Sequence, residues 1–182
     1  MLAQILEILK YILPALIVLI STYLIVNKFL IKEIERKRLA IFQKNINLTM
    51  QLRMQAYERL SIFVERMKVQ SLLSRHYTQG ASVQDLQLAM VQSIRAEFEH
   101  NVSQQIYVSS EVWQTIKSVT EQEITMINQM GSEFELGVPA IELVKKITEY
   151  MSEESDDNLP TYIALHAINR EAKLVLFPPD SN

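Results

Sequence analysis

Tyr11 to Asn27 reads YILPALIVLISTYLIVN, seventeen residues without a charge, and Lys10 and Lys28 bracket the run eighteen positions apart. As a helix that spacing covers about 27 Å, close to the thickness of one hydrocarbon core. Lysines at such depths can extend to the headgroups, and Tyr11 and Tyr23 suit the interfaces. Leu2–Leu9 adds apolar residues upstream, so the expected helix is longer than its buried part. Pro14 removes one amide donor and is expected to kink the helix or mark its first turn. A cleaved leader would need a basic start and a small-residue cleavage site. Here the positive charge follows the apolar run, so an uncleaved anchor is expected.

Charge is distributed unevenly around this run. Residues 1–44 hold seven basic and three acidic residues, whereas the whole 182-residue chain has a net charge of −3. The basic excess after the span, Lys32, Arg36, Lys37 and Arg38 among it, predicts an N-terminus outside and the remaining chain in the cytoplasm. The same collar is a candidate contact for anionic lipid. The acidic remainder disfavours binding to a phosphate backbone, so no nucleic-acid partner is expected. Two glycosylation sequons, at Asn47 and Asn101, would matter only in a lumen and are read as chance matches.

Beyond Glu33 the spacing is helical. Leu39, Phe42, Ile46, Met50, Tyr57, Leu60, Val64 and Met67 follow steps of three and four, with Arg53 as the one interruption. Ile46 to Met54 also alternates apolar and polar residues, a strand-like period without a partner strand, so a helix is expected, with a break near Asn45–Gln51 left open. Gly80 and Ser82 signal a turn and a helix start with Asp85 in the first turn, followed by Val83, Leu86, Met90, Ile94, Phe98 and Val102 as an apolar face. A start near Ser109-Ser110 introduces Trp113, Ile116, Ile124, Ile127 and Met130. Gly131, Gly137 and Pro139 are expected to delimit a loop. A shorter helix then has Ile141, Val144, Ile147 and Met151 on its apolar face. Glu149–Asp157 is expected to be an acidic loop. Pro160 opens a last helix through Ile163, Ala167 and Ile168, and Pro178-Pro179 stops regular structure.

The expected fold is all-α: a single N-terminal transmembrane helix continuing into a stalk, then an irregular antiparallel helical bundle. The expected division is an anchor at 1–31, a basic juxtamembrane stalk at 32–50, a helical cytoplasmic domain at 51–177 and a tail at 178–182. The segments Leu52–Phe63 (LRMQAYERLSIF) and Glu97–Val108 (EFEHNVSQQIYV) resemble a pattern of uncharacterised bacterial single-span proteins. Such proteins often carry a proline before the Leu-Arg pair, where this chain has Met50-Gln51. The resemblance implies a bacterial cell membrane and brings no catalytic activity with it; with the charge-derived orientation, the inner membrane is expected.

Candidate chemistry is sparse. With no cysteine, disulfides, thiolate metal sites and a cysteine nucleophile are excluded. Three isolated glycines form no phosphate-cradling loop, and no serine sits in a Gly-x-Ser-x-Gly turn. Glu97 and His100 have the i, i+3 spacing of helical di-metal sites, but the residues three before His76 and His166 are Leu73 and Ile163, so the second half is absent. No catalytic residue, resident metal or cofactor is therefore expected. The leading expectation is a non-enzymatic, membrane-tethered interaction or scaffold protein, an accessory subunit of a larger membrane complex. Its protein partner, or a second copy, would meet Leu39, Phe42, Ile46, Tyr57, Leu60 and Val64, with Asn101 and Gln105 as polar contacts. The alternative is a metal-dependent helical-bundle enzyme or sensor using Glu97 and His100.

Overall fold

The computed structural model describes residues 2–153 and 159–177, with side chains at residue 10, 12–152 and 159–177. Six α-helices account for nearly all of it: α1 (Leu2–Met67), α2 (Val69–His76), α3 (Val83–Asn101), α4 (Ser110–Ser132), α5 (Ala140–Glu153) and α6 (Pro160–Leu176). A 3-10 turn at Val102–Ile106 joins α3 to the loop before α4. Among the described residues there is no strand, only a single bridge between Ser82 and Pro139. The fold is all-α, and the chain divides into two compact units, Met1–Thr49 and Met50–Asn182.

The first unit is helix throughout its described length, with Pro14 inside α1. Every described side chain from Ile12 to Thr49 is exposed except that of Glu33. This is the one helix, among the described residues, long and apolar enough to cross a membrane. The helix favoured across Asn45–Gln51 is unbroken: α1 runs on to Met67. The alternation there coexists with a three-and-four spacing, and the Thr49 hydroxyl donates to the Asn45 carbonyl at 2.9 Å without leaving the helix.

In the second unit the end of α1 supplies Tyr57, Leu60, Phe63, Val64 and Met67 to a core shared with every later helix. Lys68 then leaves the helical conformation (φ −52°, ψ 135°) and α2 begins at the next residue. α4 packs against α3, α5 and α6 and buries one broad face, Trp113, Ile116, Ile124, Ile127 and Met130 included. Phe98 joins two sides of the core, with its ring centroid 6.1 Å from Phe63 and 5.5 Å, stacked, from Trp113.

Local signals set most helix starts. Gly80 adopts φ +89°, which favours glycine, and leads into Ser82. The Ser82 Oγ accepts from the Asp85 amide at 3.1 Å while the Asp85 carboxylate accepts from the Ser82 amide at 3.1 Å, a reciprocal capping box. Ser109 caps α4 and Pro160 occupies its first-turn position in α6.

Several expectations shift by a turn or less. Gly131 lies inside α4, under the side chain of Gln87, and does not begin a loop. α5 buries Ala140, Leu143 and Ile147, leaving Ile141 exposed, and α6 buries Thr161, Ala164 and Ile168, leaving Ile163 exposed. Glu149–Glu153, expected as acidic loop, belongs to α5; the rest of that loop and the Pro178-Pro179 stop lie outside the described residues.

Candidate functional site

Three features stand out, one in the first unit and two in the second. On α1 beyond Lys28, Leu39 and Phe42 are each 62% exposed, and Ile46 is exposed beside them. At 100° per residue these three share one side of the helix, while Ile34, Ile41 and Leu48, also exposed, share another roughly 130° away. The basic residues Lys32, Arg36, Lys37 and Arg38 are exposed as well, with Lys37 reaching Glu33 at 3.6 Å. The other half of the expected contact surface is not surface. Tyr57, Leu60 and Val64 fall below 3% exposure in the core of the second unit, because α2 to α6 cover the face they share.

The first feature of the second unit is a polar network centred on Glu171 of α6. Its Oε1 accepts from the Tyr57 hydroxyl at 2.7 Å, the Ser109 amide at 2.8 Å and the Arg53 guanidinium at 3.3 Å. Its Oε2 accepts from the Ser109 hydroxyl. Arg53 also donates to the Tyr57 hydroxyl at 2.7 Å and, through Nε, to the Tyr107 carbonyl at 3.1 Å. Burial pushes the Tyr57 hydroxyl up to about 12, and its bond to Glu171 adds to the rise. For Glu171 burial acts upward, but the Ser109 and Tyr57 bonds and the Arg53 charge outweigh it and hold the carboxyl below its ordinary value. A carboxylate so well supplied with donors is a poor proton acceptor. The network ties α1, the α4 cap and α6 together beside a groove of about 550 Å³ that also carries His166 and Arg170.

The second is a cavity of about 310 Å³ lined by residues of α2, α4, α5 and α6. Glu123 lines it while being only 3% exposed, and its Oε2 has no hydrogen-bond partner. Among the described residues the Nε2 of His76 is the one other buried atom in that position. Burial raises the Glu123 carboxyl from 4.5 to about 7. Val69, Met126, Met151 and Leu159 contribute apolar wall, and Lys68 lies at the same cavity with its ammonium 2.7 Å from Glu65.

Glu97 and His100 are not brought together as ligands. Glu97 is engaged by Arg66 at 2.6 Å and Arg75 at 3.8 Å, and His100 is exposed. No group of three His, Cys, Asp or Glu side chains that could hold a metal exists among the described residues. Asn101 is buried and donates to the Glu97 carbonyl of its own helix at 2.8 Å, so its amide is used within α3; Gln105 is exposed.

Sequence reasoning missed Arg53, Glu171 and Glu123 as site residues, yet a signal existed. Each occupies a core position of its helix by spacing: Arg53 between Met50 and Tyr57, Glu123 between Thr120 and Ile127, Glu171 between Ile168 and Val175.

The chain belongs to a family of unknown function (DUF7935), whose model matches residues 3–175. Neither the curated proteins nor the solved structures give a match to it.

Proposed function

We propose that this chain is a non-enzymatic, membrane-anchored interaction protein, an accessory subunit of a larger complex in a bacterial inner membrane. The uncharged run Tyr11–Asn27 is its single span, the N-terminus lies outside, and the second unit is cytoplasmic. The observation that carries the reading is the exposure of Leu39, Phe42 and Ile46 together with Ile34, Ile41 and Leu48 on α1 past the lysine that closes the apolar run. Soluble surfaces rarely display large apolar side chains in such continuity, because each leaves its area in water. Two ridges roughly 130° apart suit a helix set between two apolar neighbours better than one half of a two-helix pair. The occupants are helices of companion membrane proteins. Lys32, Arg36, Lys37 and Arg38 add attraction to anionic headgroups at the same level.

The test is extraction of the native chain in mild detergent, followed by size determination and mass spectrometry of what accompanies it. A companion set at a fixed ratio is expected, and Phe42→Lys with Ile46→Lys should release it while leaving the second unit folded. A chain that runs alone, or a companion set indifferent to both substitutions, would refute the reading.

A further inference from the structure

The Glu123 cavity carries an inference that stands apart from the membrane reading. Buried carboxyl oxygens in native proteins are almost always paired, since an unmet acceptor forfeits its hydration without replacement. Glu123 Oε2 is unmet and itself buried, the residue is 3% exposed, and it lines a void of about 310 Å³, the lower end of the range for small-molecule sites. The obvious internal partner is already taken: the Lys68 ammonium, on the same cavity, is 2.7 Å from Glu65. A metal ion would need further carboxylate or imidazole ligands, and among the described residues no such group forms. The walls mix Gln70, Thr161 and Tyr162 with apolar residues, and Glu123 is the one carboxylate among them, which matches one positively charged nitrogen on a compact body with an apolar side. Met126 and Met151 provide walls that adjust to the shape of such a body.

We propose that the cavity between α2, α4, α5 and α6 is a binding site for a small amphiphilic amine, whose ammonium group Glu123 receives while Val69, Met126, Met151 and Leu159 enclose its apolar part. Bound in this way, the nitrogen supplies the missing hydrogen bond once the carboxyl turns toward the void, and the ligand's hydrocarbon leaves water.

Calorimetric titration of the full chain in detergent micelles tests this with benzylamine as the probe and benzyl alcohol as its neutral counterpart. Benzylamine is expected to bind, and benzyl alcohol to bind more weakly by about tenfold or more, the ratio a charge-assisted hydrogen bond supplies. Glu123→Gln should erase the difference between the two probes. Met126→Trp, which fills the cavity and leaves the carboxyl in place, should weaken both, so that a folding defect in one variant cannot imitate the result. Equal binding of the two probes by the unaltered protein would overturn the proposal, as would no binding of benzylamine, or binding that Glu123→Gln leaves unchanged.

Discussion

Replacing Glu123 by Gln should change how the stability of the second unit responds to pH. Burial lifts the folded-state pKa of this carboxyl from 4.5 to about 7. A raised pKa means that the folded chain holds the proton more tightly than the unfolded chain. The resulting stabilisation is therefore complete below about pH 4.5 and is lost as pH climbs through about 7. At 1.36 kcal/mol for each pKa unit the whole window is worth about 3 kcal/mol, most of it between pH 5 and pH 8. Glutamine cannot titrate and removes this slope. Trp113, the only tryptophan, is buried against Phe98 and reports unfolding of this unit alone. Urea titrations of the full chain in micelles, followed by Trp113 fluorescence at pH 5 and pH 8, measure the effect. Asp85 and Glu171 have lowered pKa values and act in the opposite direction, but they are common to both proteins and cancel in the difference. The variant should gain on the unaltered protein by about 2–3 kcal/mol between the two pH values. A difference that stays constant with pH would refute the assignment of Glu123 as a buried carboxyl that takes up its proton on folding.

Other consequences are open to direct measurement. Glu171→Ala should destabilise the second unit by about 3 kcal/mol in urea titrations, because it strands Arg53, the Tyr57 hydroxyl and Ser109 as donors without their acceptor. Its effect should shrink as pH falls below 4.5, because the unfolded carboxyl takes up a proton there while the folded one stays ionised to lower pH. Leu60→Ala removes a fully buried side chain and should cost about 2–5 kcal/mol of stability, read by the same fluorescence transition. Since the chain has no cysteine, Lys117→Cys on the exposed side of α4 introduces a single thiol; the proposed orientation predicts that in intact cells a membrane-impermeant maleimide labels it only after the membrane is opened, and labelling without opening would refute that orientation.

The helices were legible because their starts are written in short chemistry. Ser82 with Asp85, Ser109, Pro160 and the positive-φ Gly80 sit where a local reading places them. The apolar faces of α3 and α4 follow from spacing, since long amphipathic helices constrain their own burial, except that Val102, expected on the α3 face, lies exposed in the 3-10 turn. The shorter α5 and α6 were rotated in the reading: Ile141 and Ile163 are large and apolar yet exposed, while Ala140 and Ala164 take the core positions. Small residues there admit close approach of neighbouring helices, a property of the partner surface that one helix cannot announce. Arg53, Glu123 and Glu171 look, one at a time, like polar breaks in apolar stripes. Their meaning depends on which breaks face each other, and that is decided by packing between elements more than a hundred positions apart in the case of Arg53 and Glu171.

That separation has a consequence for the order in which the molecule can be completed. Arg53 and Tyr57 belong to α1, and Glu171 lies 118 and 114 positions further along the chain, so α1 leaves the ribosome well before it. Until α6 has been synthesised, the donors on α1 have no carboxylate to meet, and Tyr57 and its apolar neighbours have no complete core to enter. Closing so long a loop is slow compared with forming any of the helices. α6 therefore acts as the latch of the second unit. A nascent chain that stops short of Glu171 presents an unfinished apolar face, the kind of surface that chaperones and proteases recognise.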